Sequence, residues 1–258
     1  MLNFKSINII TIVVFIGLLV LFLFYSISPW WFGLLFLIWF SITALGSAII
    51  GLNYHVESLI NNPEIQENHI AITFDDGPHP EFTPQVLAIL KQYNAKATFF
   101  CIGKHVKAYP NVFKQILNEG HTVGNHTYSH NNMFGFFSTK KVITELQQTH
   151  KIVNDLTGLS LQLYRPAFGV TNPRIKKAVK TLALYSIGWN KRSFDTTSIS
   201  KQQILNRITK NLKQGDVILL HDTSLKTVEV LEQLLLFLQH KNLNAVTINE
   251  LFNIKAYA

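Results

Sequence analysis

From Ser6 to Val56 the chain contains no Asp, Glu, Lys or Arg. A surface segment of a water-soluble domain does not go uncharged for so long, and this run limits what the N-terminal part can become. One membrane-spanning helix needs about 20 residues, so the run has room for two. The stretches Ile9 to Tyr25 and Trp31 to Ile50 are predominantly apolar, and Ser26-Ile27-Ser28-Pro29 separates them. Pro29 fits poorly inside one continuous helix. Tyr25, Trp30 and Trp31 flank the break, as aromatic residues do at a bilayer surface. The expected structure is a transmembrane helical hairpin, with spans of about 8–25 and 31–50 in an anchor covering 1–53. A linker, 54–67, follows, with Asn61-Asn62-Pro63 at its middle. The competing reading is a signal peptide, because Lys5 precedes the first apolar run. Against it, no small-residue cleavage site follows, and Pro29 sits badly there.

The formal net charge is +8. Every acidic residue, and every basic residue but Lys5, lies beyond the uncharged run. Lys and Arg are spread over the expected helices, which gives a solvated basic surface able to attract anionic lipid beside the anchor. No basic stripe or nucleic-acid motif is present, so the expected partners include membrane lipid and exclude nucleic acid. The single cysteine, Cys101, rules out an intrachain disulfide.

Beyond the linker, short apolar segments alternate with helix-length ones. Strands are expected at 70–74, 97–101, 121–125, 161–165, 183–189, 216–220 and 244–248. Helices are expected at 83–93, 108–119, 138–157, 173–181, 200–213 and 225–240, with Ser138 as N-cap of the third. Regular β-α alternation predicts a parallel sheet with helical crossovers. Seven strands predict a distorted (β/α)7 barrel over 68–258. Barrels of this type carry their sites at the C-terminal strand ends, so polar residues just after each strand are candidates for one shared site.

Asp75-Asp76-Gly77-Pro78 follows the first strand. Two adjacent carboxylates repel each other unless a cation or arginine holds them, although Asp-Gly by itself is ordinary turn chemistry. His126 and His130 follow the third strand. On one helical turn that spacing places two imidazoles on the same side, and one carboxylate completes an open His₂Asp metal set. A lone His-x₃-His occurs often by chance. His121, His105 and His79 are assigned to packing or surface contacts. Arg165 follows the fourth strand, placed to pair with one of the aspartates. His221, at the end of Ile218-Leu219-Leu220, is placed to exchange protons near neutral pH.

The runs TFDDGPHP (73–80), ATFFCIGKHV (97–106) and GHTVGNHTYSH (120–130), followed by RPAFG (165–169) and LLHD (219–222), closely resemble the polysaccharide deacetylase family. This is carbohydrate esterase family 4, or the NodB-homology domain. The resemblance covers roughly residues 68 to 254. It implies Asp75 as catalytic base, with Asp76, His126 and His130 as ligands of one divalent ion, usually zinc. It implies Arg165 as the partner of the base, the Phe168 backbone N–H as oxyanion donor, His221 as general acid and Leu219 as one wall of the acetyl pocket. Asp195 matches the carboxylate that tunes the acid. Two departures stand out. Ala167 replaces a second proline, and in the fifth-strand motif Arg192 and Thr196 replace an Asp and the pocket Trp.

The expected function is metal-dependent removal of N-acetyl groups from an amino-sugar glycan, either a cell-wall polymer or a lipid-linked sugar. A catalytically inactive glycan-binding protein on the same scaffold is the alternative, and another linear amide on a lipid-linked sugar or small molecule is a third reading. Two spans place both termini on one side. Lys5, the only basic residue flanking the first span, favours the cytoplasmic face. Relatives that act on cell-wall polymers favour the opposite side.

Overall fold

The computed structural model describes residues 3–258. Helix α1 (Phe4–Tyr25) starts under an Asn3 cap, whose side chain accepts the Ser6 N–H, and ends at Ser26 in the left-handed region. Helix α2 (Trp30–Ala48) starts after Pro29. Both are long and apolar enough to cross a membrane. They pack together as a hairpin, with one polar bond between them, Trp39 Nε1 donating to Asn8 Oδ1 at 2.8 Å. Their outward side chains are exposed, Phe24 at 76% and Trp30 at 84%. Apolar surface on that scale needs a partner other than water.

The first part of the segment expected to be a linker packs against the hairpin and barrel, while Pro63, Glu64, Gln66 and Glu67 are exposed. Tyr54, His55, Val56 and Ser58 are buried. The Tyr54 ring lies against Gly46, where a Cβ would collide with it. Strand β1 (Ser58–Leu59) pairs in parallel with Ser186 and Ile187, and Ser58 and Ser186 share a hydroxyl hydrogen bond of 2.8 Å. This two-residue strand is too short to announce itself by alternation.

The remaining strands are β2 (His69–Asp75), β3 (Ala97–Cys101), β4 (Thr122–Asn125), β5 (Leu163–Tyr164), β6 (Tyr185–Ile187), β7 (Lys191–Arg192), β8 (Val217–His221) and β9 (Asn244–Val246). Every ladder is parallel, in the order β1-β6-β5-β4-β3-β2-β8-β7, with β9 on the first half of β2. The run 185–192 pairs with β5 through β6 and with β8 through β7, so it curls the sheet closed. This is the expected barrel-like closure, preceded by the hairpin. The helices are α3 (Phe82–Gln92), α4 (Gly103–Ala108), α5 (Pro110–Asn118), α6 (Thr139–Thr157), α7 (Pro173–Thr181), α8 (Lys201–Thr209), α9 (Leu225–His240) and α10 (Ile248–Leu251). Ser138 caps α6 as expected, accepting the Lys141 N–H. Near-continuous apolar strands such as Ile70–Phe74 read as buried on both faces, and they are. Phe74 and Phe99 stack at 5.0 Å within the layer between the sheet and α3, α5 and α9.

His121 is buried at the opposite end of β4 from the site, and its Nδ1 accepts the Ala97 N–H at 3.2 Å. Burial, and next the nearby Lys96, lower its pKa from 6.5 to about 4. The folded imidazole is therefore neutral at pH values where the unfolded one takes a proton. Its contribution is complete above pH 6.5 and is lost as pH falls toward 4, on the order of 3 kcal/mol. Thermal unfolding of the detergent-solubilised chain should show a shallower loss of Tm between pH 6.5 and 4 in His121→Asn, which keeps an acceptor but does not titrate, than in the wild type.

Candidate active site

The C-terminal ends of β2, β4, β5 and β8 bring the candidate residues together. Asp75 ends β2 with its side chain toward the barrel interior, where it is 4% exposed. Arg165, just beyond β5, is fully buried and reaches across to it, Nη1 donating to Asp75 Oδ1 at 2.8 Å. Every guanidinium nitrogen has a partner. Nη1 donates to Thr73 Oγ1 at 2.6 Å, Nη2 to the Gly188 carbonyl at 2.9 Å and Nε to the Ile187 carbonyl at 3.2 Å. The Phe100 ring lies 4.1 Å from its Cζ. With Oδ1 held, Asp75 presents Oδ2 to the site, 3.8 Å from His126 Nε2.

Asp76 turns the other way because its backbone is left-handed, at φ 73°. The following Gly77 lies so close to the Asp222 carboxylate that no Cβ fits. Asp76 Oδ1 lies 3.5 Å from His126 Nε2 and 3.4 Å from His130 Nε2. These three ligand atoms lie within 4.8 Å of one another. The two histidines do not meet on a helical turn, as the i, i+4 spacing predicts. They lie on an irregular loop with Thr127 (φ 66°) and His130 (φ 48°) in the left-handed region. The loop is held from below by the buried Glu145 on α6, whose Oε2 accepts the N–H groups of Tyr128 (3.2 Å) and Ser129 (2.8 Å).

Three observations test whether a cation fits. Asp76 Oδ1 is buried and has no hydrogen-bond partner. The His126 Nδ1–H donates to the Arg165 carbonyl at 3.0 Å, so Nε2 is the ring nitrogen that faces Asp76 and His130. Two imidazoles and one carboxylate are an open donor set of the kind that binds zinc. Burial would raise the Asp76 pKa, but the facing imidazoles of His126 and His130 more than offset it and hold the carboxyl ionised. Burial, with His126 next, lowers His130 to about 4. Those two directions suit metal ligands; at His126 burial lowers the pKa but the charge of Asp75 and the contact with Asp76 outweigh it and raise it, so a cation bound there displaces a proton.

His221, at the end of β8, faces the pair from the other side. Its Nδ1 contacts Asp195 Oδ1 at 2.7 Å, and its backbone N–H donates to Asp195 Oδ2 at 2.8 Å. Burial alone would lower its pKa; the bond to Asp195 and that residue's charge instead raise it to about 9. Ser193 Oγ and Thr227 Oγ1 each donate to Asp195 at 2.8 Å. Phe168 sits in a 3-10 turn at φ 59°, a strained value for an aromatic residue, with its ring 4.5 Å from that of His130. Leu219 is buried in β8. Arg192 is exposed and lies over the rings of Phe194 (4.7 Å) and Trp189 (5.7 Å), and Thr196 is exposed nearby.

Several supporting residues escape the motif-based reading. His105, assigned to packing, bonds through Nδ1 to the Asp76 carbonyl at 2.8 Å and so steadies the Asp-Asp turn. His79 accepts the N–H groups of Glu81 and Phe82 and starts α3. Asp222 is fully buried, accepts the Thr83 hydroxyl, and is pushed by burial up to about 7. Glu145 had a legible signal, since it stands on the stripe of α6 that buries Val142, Leu146, Thr149 and Val153. An acid on an apolar stripe calls for a partner.

A family model described as polysaccharide deacetylase matches residues 62–187. A peptidoglycan-N-acetylglucosamine deacetylase from Bacillus cereus is 38% identical over 195 residues, covering 73% of this chain and 90% of the relative. The crystal structure of a peptidoglycan N-acetylglucosamine deacetylase in complex with 4-naphthalen-1-yl-N-oxidanyl-benzamide matches with a TM-score of 0.72 at 33% identity, covering 77% of this chain and 94% of that one. A CE4 family pseudoenzyme from Bacillus anthracis matches with a TM-score of 0.67 at 27% identity, covering 72% of this chain and 66% of that one.

The buried Arg165–Asp75 pair yields a stability test. Arg165→Met strands a buried carboxylate and should cost about 3–5 kcal/mol in urea unfolding of the detergent-solubilised chain. Adding Asp75→Asn should recover part of that loss, so the two substitutions combine to less than the sum of the single effects.

Proposed function

Because the chain belongs to the polysaccharide deacetylase family, we propose that it hydrolyses the N-acetyl group of an amino-sugar glycan by the residues described above while tethered to a membrane by its hairpin. It is a deacetylase hydrolase, and its relatives support an N-acetylated glycan as substrate. The observation that carries the residue assignment is the single free oxygen of Asp75, Oδ2, beside the Asp76, His126 and His130 trio, with the His221 imidazole opposite.

In this reading Asp76, His126 and His130 hold one divalent ion, and the donor set favours zinc. Bound there, the ion supplies a Lewis acid for the acetyl carbonyl and lowers the pKa of a water. Asp75 takes the proton of the attacking water on Oδ2, while Arg165 fixes Oδ1 and so fixes the direction of the free oxygen. The Phe168 N–H donates to the oxygen that becomes negative as the carbonyl carbon turns tetrahedral. His221 carries a proton at neutral pH because Asp195 holds its Nδ1, and it delivers that proton from Nε2 to the departing nitrogen. The C–N bond breaks, leaving acetate and a free amino sugar. Leu219 walls the acetyl methyl. Arg192 and Thr196 leave the other side of that pocket more polar than the family pattern, which supports an altered preference for the acyl group or sugar. The alternative of an inert binding scaffold is countered by the base and ligand side chains gathered around one point, with the acid held by Asp195 on the neighbouring strand end.

The residue roles are separable. Elemental analysis of the purified chain should find one divalent ion per molecule, lost in a His126→Ala, His130→Ala double variant. Asp75→Asn and His221→Ala should keep the ion and lose about 10²–10⁴-fold in turnover of chitooligosaccharide. Asp195→Asn removes the charge that raises the His221 pKa, so the alkaline limb of its pH–rate profile should move to lower pH; an unmoved limb would remove His221 from the acid role.

The side of the membrane has its own test. Lys5 supports a cytoplasmic catalytic domain acting on a lipid-linked sugar, whereas the peptidoglycan deacetylase relatives support an external one. A reporter active only outside the cytoplasm, fused after Ala258, should stay silent, and a strong signal would place the domain outside.

A further inference from the structure

The hairpin joins the barrel beside the candidate site. The Thr171 N–H donates to the Ser47 carbonyl in the last turn of α2 at 3.0 Å. The Phe4 N–H donates to the Tyr54 carbonyl at 3.0 Å. Residues 171–173 therefore stand level with the ends of both spans. Next to them lies the loop after the metal-binding histidines. Asn172 Nδ2 donates to the Gly135 carbonyl at 2.7 Å, and Arg174 Nη1 to the Phe136 carbonyl at 3.1 Å. Three residues before Thr171 is Phe168, whose ring touches His130. The path from span to site is one loop wide.

That loop is apolar where it should be polar. Phe136, at 74%, is the most exposed large apolar side chain of the catalytic domain, and Met133, at 56%, is next. Arg174, Lys176 and Lys177 on the adjoining α7, and Lys140 and Lys141 on α6, are exposed around it. Ile49 and Leu52 continue the apolar surface past the end of α2. Apolar tips ringed by cations are what a lipid head-group layer accepts, the tips entering the acyl boundary and the cations meeting anionic head groups.

We propose that Met133 and Phe136 form a bilayer-seated rim that opens the active site onto the membrane surface, so that the enzyme acts on amino sugars carried by a membrane lipid. This rests on the tethered deacetylase reading above. The rim and the anchor then share one plane, and a sugar attached to a lipid reaches the site without leaving its membrane.

The full chain in nanodiscs of phosphatidylethanolamine and phosphatidylglycerol tests this. Cys101 is buried, so a nitroxide can be attached selectively to Phe136→Cys, and to Leu236→Cys as a control on an exposed face of α9. The label at 136 should show high collision with oxygen and low collision with a nickel chelate, while that at 236 shows the reverse. Water-like accessibility at 136 would overturn the seating. In the same discs, Met133→Ser with Phe136→Ser should lower turnover of an N-acetylhexosamine on a polyprenyl diphosphate by about tenfold, and leave turnover of a soluble chitooligosaccharide near wild type. An equal change on both substrates would overturn the substrate assignment. A wild type that turns over neither substrate would refute the deacetylase reading instead, and the nitroxide result would still decide the seating.

Discussion

Arg165 is a full positive charge inside the barrel with no exposure to water. Isolated there it would cost several kcal/mol. The fold answers with four acceptors from two sides: the Asp75 carboxylate and Thr73 hydroxyl on β2, and the carbonyls of Ile187 and Gly188 at the end of β6. Those carbonyls belong to the run that closes the sheet between β5 and β8. One side chain thus ties the closing segment to the central strand. It also leaves Asp75 a single unpaired oxygen, and its own carbonyl sets the tautomer of His126. Barrel closure and the orientation of Asp75 and His126 depend on the same residue.

A second group of contacts is built on the same logic of fixing one atom to free another. Asp195 takes the Nδ1 side of His221 and the His221 backbone, while Ser193 and Thr227 hold Asp195 in turn. His105 and Asp222 brace the turn that carries Asp76. Apart from Arg165 and Asp195, these supporting groups have little reason to look special in a sequence. They are ordinary Ser, Thr, His and Asp residues, and their role comes from the register of parallel strands distant along the chain.

This explains what the sequence discloses and what it withholds. The long β2, β3 and β8 are legible because burial on both faces demands continuous apolar runs, and α6, α7 and α9 because a helix must keep one apolar stripe. The motifs around Asp75, His126 and Arg165 stand at strand ends, as barrel geometry requires. The His126–His130 pairing follows from spacing, but the left-handed loop that achieves it does not, since Thr and His rarely adopt that conformation and only tertiary contacts such as Glu145 hold them there. Strand β1 and the packing of 54–62 are hidden because polar residues such as Asn61 and Asn62 suggest a loose connection. The Ser58–Ser186 bond and the Asn62 contacts to Gly215 and Leu251 exist only once the barrel has formed.

The packed joint between hairpin and barrel sets how such an enzyme would search. A flexible tether gives a catalytic domain a sampling volume that grows with tether length. Here Tyr54 is seated on Gly46 and Thr171 is bonded to Ser47, so there is no slack to extend. In the tethered state, reach is set by the barrel's own dimensions, with a radius of gyration of about 16 Å. For the membrane-seated enzyme proposed above, encounter is two-dimensional: the rate follows the number of acceptors per unit area of lipid rather than per unit volume, and glycan standing farther from the surface than one domain height lies outside its territory.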